Sequence, residues 1–281
     1  MDQHVKETGF RRHMRACNNA VLPGSRIPFH VGEAAVGWVA PRMVEALKAY
    51  PAVRRSADRV TLTEPEALAG IARALAERGL YRWRGEAFDV RVRPDTPALT
   101  RIDRGAIPSF GLRATGVHVN GLVLRPDGLH IWVARRAMNK LLDPGKLDHI
   151  VAGGVPAGLS PRETLIKEAA EEAAIPPHLA SRATAVAAIG YAMERPDGLR
   201  RDWLYGYDLI LPEDFNPKPT DGEVAAFELW PIGDAFALVR DTDAFKFNVN
   251  LILIDLFIRL GMIAAPEADS LRCGLESGGL M

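Results

Sequence analysis

GGVPAGLSPRETLIKEAAEEAAI, Gly153 to Ile175, begins as a glycine-rich loop, turns into a helix and ends in an acidic cluster. Ser160-Pro161-Arg162-Glu163 has the form of a capping box. The Ser hydroxyl can accept from the amide three residues on, Glu163 can reach back, and Pro161 stands where no amide hydrogen bond is needed. A helix starting there carries Glu168, Glu171 and Glu172 in its later turns. Residues three and four apart share a face, with Cβ atoms about 5–6 Å apart, so these carboxylates crowd within roughly one turn. At that separation two like charges repel by about 3 kcal/mol at an effective dielectric of roughly 20. Most acidic clusters on helices are solvated faces. The glycine loop in front of this one favours a second reading, a site for a hard divalent cation with oxygen ligands, Mg²⁺ above all.

The same stretch resembles the box of the Nudix hydrolases, G-x5-E-x7-R-E-U-x-E-E-x-G-U with U aliphatic. Gly153 takes the first Gly and Leu159 the first Glu. Lys167 takes the Arg, Glu168 the next Glu, Glu171 and Glu172 the paired acids, Ala174 the second Gly and Ile175 the final aliphatic. Leu159, Lys167 and Ala174 depart from the pattern. In the family the first Glu ties the loop to the helix and the Arg orients a glutamate; Lys keeps the charge but loses the planar fork. The resemblance implies an α/β fold, a Nudix α/β/α sandwich around a mixed sheet. It also implies Glu168, Glu171 and Glu172 as metal ligands and hydrolysis of a diphosphate linked to another moiety, X. Mg²⁺ is the implied cofactor, with Mn²⁺ as a substitute.

Composition sets the outer bounds. At 281 residues, 48% hydrophobic and 25% charged, the chain can bury a sizeable core in one or two domains. Lys+Arg and Asp+Glu both number 35, and the resulting zero formal charge argues against a general grip on nucleic acid. Cys17 and Cys273, far apart, make neither a disulfide framework nor a metal pattern, which fits a reduced, cytoplasmic setting. The start, MDQHVKETGFRRHMRACNN, has no apolar core and does not read as a secretory signal. The most apolar run, Val249–Leu260, is too short to span a membrane and is broken by Asn250, Asp255 and Arg259.

Along the chain, helices are expected around Phe10–Cys17 and from Pro41, and a short strand at Val60–Leu62. Another capping-box form, Thr63-Glu64-Pro65-Glu66, precedes Leu68, Ile71, Ala72 and Leu75 at helical spacing. Tyr81–Trp83 and Phe88–Val92 look like strands. His4, His13 and His30 have no mutual metal spacing and read as surface or satisfied core residues. Arg93–Ser109, with Pro94, Pro97 and Pro108, reads as a linker. These features divide the chain into a small α+β N-terminal domain with its linker (1–109), a Nudix domain (110–265) and a poorly ordered tail (266–281).

In the second part, Val117–Leu124 and Leu129–Ala134 flank the turn sequence Arg125-Pro126-Asp127-Gly128 and predict a hairpin. Arg135, Arg136, Lys140 and Lys146 follow, either as an ordinary basic loop or as a clamp for phosphate oxygens. Strands are expected at Thr184–Tyr191 and Trp203–Leu211, around a polar loop at Glu194–Asp202. Another is expected at Glu223–Trp230, and helices at Ile232–Val239 and Phe247–Leu260.

The segments FRRHMRACNN (10–19), GVHVNG (116–121), IWVARR (131–136), PGKLD (144–148), YDL (207–209), DGEV (221–224) and FKFN (245–248) narrow the resemblance. They are similar to a two-domain Nudix group that includes the Nudix part fused to thiamine pyrophosphokinase in some fungi. Members resemble diphosphatases that remove phosphate from oxidised thiamine diphosphate. On this reading Gly153 and Gly154 let the loop bend to the substrate. Lys167 orients a carboxylate or touches phosphate, and Glu223 is either a general base or a simple turn acid. Arg135, Arg136 and Lys146 meet the diphosphate. Trp132, Tyr205 or Tyr207 stack on a heteroaromatic X, unless they are only core. The partner is a small-molecule diphosphate, with room for a homodimer. Three alternatives stay open: a nucleoside-diphosphate-type pyrophosphatase, an isopentenyl-type isomerase needing an active-site cysteine, and a Nudix-fold binding module that has lost catalysis.

Overall fold

The computed structural model describes residues 9–277. Residues 1–8, with His4 and the first eight residues of the segment read against a signal peptide, lie outside the described residues, as do residues 278–281. After the helix α1 (Arg11–Cys17), β1 (Ile27–Val31) and β2 (Ala34–Val39) pair with a register shift at Val36 and bury Phe29, Val31, Val36 and Val39 in one core. Then follow α2 (Pro41–Leu47), β3 (Val53–Arg55), β4 (Val60–Leu62), α3 (Leu68–Glu77), β5 (Ala87–Val90), β6 (Thr100–Asp103) and α4 (Ile107–Phe110). The first four strands pair in the order β2-β1-β4-β3, and β5 pairs with β6. Phe29, Leu62, Leu68, Leu75 and Phe110 fill the core they share.

Two expectations fail here. Arg93–Ser109 is not a bare linker: it contains β6 and the start of α4, and it buries Ile102, Ala106 and Ile107. Tyr81–Trp83 forms no strand. Beside it, the Asp103 carboxylate accepts from the amides of Arg84, Gly85, Glu86 and Gly105 at 2.7–3.1 Å.

The second part consists of β7 (Arg113–Arg125), β8 (Gly128–Arg136), β9 (Leu147–His149), β10 (Val151–Gly154), α5 (Pro161–Ala173) and α6 (Pro177–Ala180). It continues through β11 (Thr184–Arg195), β12 (Gly198–Ile210), β13 (Val224–Pro231), α7 (Ile232–Asp241), α8 (Val249–Arg259) and α9 (Ala265–Ser277). The sheet order is β11-β12-β7-β8-β13, with β10 added to β7 and β9 to β8. β12 runs parallel to β7 and the other pairs are antiparallel, so the sheet is mixed, as expected. The expected polar loop between β11 and β12 is only the turn at Pro196-Asp197. Period-two alternation sends Val117, Val119 and Trp132 toward α5, and Leu122, Ile131 and Val133 toward α8. Helix α8 is apolar almost all round and is buried, as such a helix must be.

Packing does not follow chain order at either end. Phe10, just before α1, and Cys17, its last residue, join the core around α8 and α9. Arg12 donates to Val239 O at the end of α7 (2.9 Å) and meets Asp243 (3.1 Å), and Asn19 Oδ1 accepts from Glu194 N (2.7 Å). The expected disordered tail is instead α9, which buries Ala268, Leu271 and Leu275. Among the described residues, no helix is long and apolar enough to cross a membrane.

Candidate active site

Helix α5 starts as its sequence requires. Ser160 Oγ accepts from Glu163 N (3.2 Å), Glu163 Oε2 accepts from Ser160 N (2.9 Å), and Pro161 is the first helical residue. Its far end is strained: Ala174 stands in the left-handed region (φ 54°) where glycine is favoured and where the box has one. Lys167 binds its own helix, hydrogen-bonding Glu171 and meeting Glu168 Oε1 at 3.3 Å. It therefore braces the acids, the role that the box gives to Arg.

The three helical acids part company. Glu171 is half exposed and engaged with Lys167. Glu168 is mostly buried against Gly153, where a Cβ would come within 2.6 Å of its Cγ. Glu172, 6% exposed, accepts from Ala152 N (2.9 Å) and converges with Asp221 and Glu223. One oxygen from each of these three lies within 4.8 Å of the others. Asp221 and Glu223 come from the loop after β12. That loop is fastened to the helix end by Thr220 Oγ1 donating to Glu171 O and Lys218 N to Ala173 O (3.2 Å). Glu223 N donates to Asp221 Oδ1 (2.8 Å), and Glu223 pairs with Lys140. The box does not single out Asp221 as a ligand; the sequence signal for it is an acid pair flanking Gly222.

Burial pushes the Glu172 carboxyl well above the usual range, and the charges of Asp148, Glu168 and Glu223 add to it against the Ala152 amide. Burial also raises Glu168, in spite of Lys167. Burial opposes ionisation of Glu223 as well, but Lys140, with Arg104 and Arg136, holds it below the usual range. An all-oxygen set, crowded, partly dry and under-compensated, suits a hard divalent cation.

The basic residues expected to meet phosphate are otherwise engaged. Arg136 is nearly buried, donating to Asp148 Oδ2 (2.7 Å) and Leu142 O (2.8 Å). Lys146 Nζ donates to Asp243 O (2.9 Å), and half-exposed Arg135 lies 3.5 Å from Glu228. Trp132 is a core residue on the α5 side. Behind the site, the Nδ1 atoms of buried His118 and His149 face each other at 3.1 Å. Lys246 approaches Asp148 at 3.7 Å. Cys17 Sγ donates to Phe247 O within the α8 core, and burial pushes its thiol pKa up, so it serves no active-site role.

The N-terminal part touches the glycine loop. Ala157 N donates to Ala87 O (2.8 Å) and Gly158 N to Asp89 Oδ2 (3.1 Å). A cavity of about 380 Å³ opens between them, lined by Phe88, Asp89, Arg113, Leu159 and Tyr205 among others. It sits at the start of α5. Glu172 is nine residues further on than Glu163 in the cavity wall, roughly 13 Å of helical rise.

Residues 9–114 match a family described as a domain of unknown function (DUF4743), and residues 114–250 match the NUDIX domain. Nudix hydrolase 20, chloroplastic, of Arabidopsis thaliana is 36% identical over 93% of this chain and 75% of its own length. Nudix hydrolase 24, chloroplastic, of the same plant is 37% identical with the same coverage. Among solved structures, the NUDIX domain of Shewanella oneidensis NrtR complexed with ADP ribose aligns with 54% of this chain and 91% of its own. Its TM-score is 0.43 at 15% identity.

Proposed function

The chain belongs to the Nudix hydrolase family and is a diphosphate hydrolase of its type, and from that premise we propose that it is a Mg²⁺-dependent enzyme cleaving thiamine diphosphate or its oxidised forms. The convergence of Glu172, Asp221 and Glu223 beside the glycine loop carries this reading. When bound, a divalent cation would neutralise diphosphate oxygens and acidify water. Glu172, Asp221 and Glu223 would hold it, and Mn²⁺ suits the same oxygens.

The protein's own side chains do the rest. Gly153 leaves the space that Glu168 occupies. Glu168, with its pKa raised by burial, is better matched to accept a proton from the attacking water than Glu223, which Lys140 makes a weaker base. Lys167 and Glu171 keep the helical acids in place. The cavity beside Phe88 and Tyr205, too far along α5 to hold the scissile bond, suits the aromatic rings of X. A cytoplasmic location and a homodimer belong to the same reading; the two Arabidopsis relatives are named chloroplastic.

Phosphate release with Mg²⁺ from a panel of thiamine diphosphate, its oxidised forms, nucleoside diphosphates and ADP-ribose tests it. The thiamine compounds should lead in kcat/KM. A lead for the nucleotides would overturn the substrate class, and no release from any compound would overturn the activity.

A further inference from the structure

Resting on the diphosphatase reading, we propose that the N-terminal part supplies a substrate-binding residue: Arg104, whose guanidinium takes oxygens of the diphosphate at the open edge of β10. This strand pairs with β7 alone, and its Ala152 amide already points outward to Glu172. Consecutive residues of a strand present opposite faces. At Gly153 a side chain would run into Glu168. At Gly154 it would run into Phe88, at 2.6 Å, and lie 3.6 Å from Cζ of Arg104. The edge of β10 therefore has the helical carboxylate on one side and a guanidinium on the other, the charge arrangement that a cation–diphosphate pair requires.

The platform beneath Arg104 is rigid. Asp103 gathers four backbone amides, Arg104 N donates to Glu86 O (2.8 Å), and any side chain at Gly105 would lie 2.0 Å from Arg82 O. None of this uses the Arg104 side chain. Its guanidinium stands 5.7 Å over the Phe88 ring and pairs with Glu86 at 2.8 Å, with the two side chains 52% and 37% exposed. The neighbouring cations Lys140, Lys167 and Arg136 are held by Glu223, by Glu171 with Glu168, and by Asp148. Arg104 and Arg136 are held by acids outside the carboxylate site, and Arg136 with Asp148 is nearly buried, so Arg104 is the exposed one of the two. An exposed pair is weak, so Glu86 can yield to a diphosphate that offers charge-assisted, forked hydrogen bonds.

The test is calorimetric binding of methylenediphosphonate, a non-hydrolysable diphosphate, with Mg²⁺ to the full chain, alongside KM and kcat for the best substrate of the panel. Arg104→Ala should weaken probe binding and raise KM roughly tenfold to a hundredfold, the cost of losing hydrogen bonds to a charged group, with an unchanged melting temperature. Arg104→Lys should recover part of it, and Glu86→Gln should bind the probe as well as wild type or better. Arg104→Ala binding like wild type, Glu86→Gln falling together with it, or a wild type that ignores the probe would each overturn the assignment. Phosphate release by the wild type is read separately. Its absence defeats the diphosphatase reading, whereas release that Arg104→Ala performs at an unchanged KM defeats only the arginine.

Discussion

Replacing Glu172 with Gln should stabilise the protein without Mg²⁺ and destroy its response to Mg²⁺. Glu172 keeps an oxygen within 4.8 Å of oxygens on Asp221 and Glu223. At that distance and an effective dielectric of roughly 20, each like-charged neighbour costs about 3 kcal/mol. Protonation and Lys140 relieve part of this, leaving a gain of about 2 kcal/mol, or roughly 4–8 °C in melting temperature for a protein of this size. Gln still accepts from the Ala152 amide, so that bond survives. The folded pKa of Glu172 lies above its unfolded value, so what the protonated carboxyl contributes is present at low pH and lost as pH rises through the folded pKa. The advantage of Gln should accordingly be smallest at low pH and grow as pH rises. Thermal melts of both proteins at pH 5 and pH 8, with and without Mg²⁺, read all of this. The reasoning fails if Glu172→Gln melts lower than wild type at pH 8 without metal, or if Mg²⁺ still raises both alike.

Glu171→Gln and Lys167→Ala disturb groups that brace the acids, so each should lower turnover by roughly 10–100-fold, less than Glu172→Gln; wild-type rates in both would remove Lys167–Glu171 from the site. Ala174→Gly relieves a left-handed alanine and should stabilise by about 1 kcal/mol, seen as a higher urea midpoint; a lower one would mean that burial around Ala173 and Ile175 matters more. Burial lowers His149 to about 4, so its contribution is present above the unfolded pKa and lost as pH falls. Between pH 7.5 and 5 the wild type should lose about 2 kcal/mol through this group, and His149→Asn should show a flatter profile; parallel profiles would refute the assignment.

Local grammar was legible wherever the determinants lie close in sequence. The capping box at Ser160, the hairpin at Arg125–Gly128 and the α8 run needed only neighbours, and each formed. What depends on strand pairing was not. Arg136 reads as a phosphate clamp until β8 and β9 pair Ala134 with Asp148 and bring that carboxylate beneath it. Asp221 becomes a candidate ligand only because its loop is drawn back to the end of α5. The tail reads as disordered because glycine and serine outweigh a real helical spacing, Ala268, Leu271 and Leu275, whose burial surface comes from α1 and α8. Proline likewise hid Ile102 and Ile107 within Arg93–Ser109.

The departures from the box turn on the same long-range contacts. Leu159 cannot tie the loop to the helix as the family's first glutamate does. Here the tie comes from β5, through Ala87 O to Ala157 N and the Asp89 carboxylate to Gly158 N. Asp89 is itself held by Arg91 and Arg101, so the loop is fastened to a folded hairpin rather than to its own helix. Lys167 lacks a fork, yet reaches both Glu168 and Glu171 because one point charge on a flexible stem can sit between them. The left-handed turn at Ala174 is closed by Ile175 N donating to Ala169 O (2.9 Å), with Ile175 fully buried, so packing offsets a strain of about 1–2 kcal/mol. Without the N-terminal part, the loop that presents Gly153 and Gly154 would lose its outer anchor. The N-terminal part thus supplies the loop anchor that Leu159 does not.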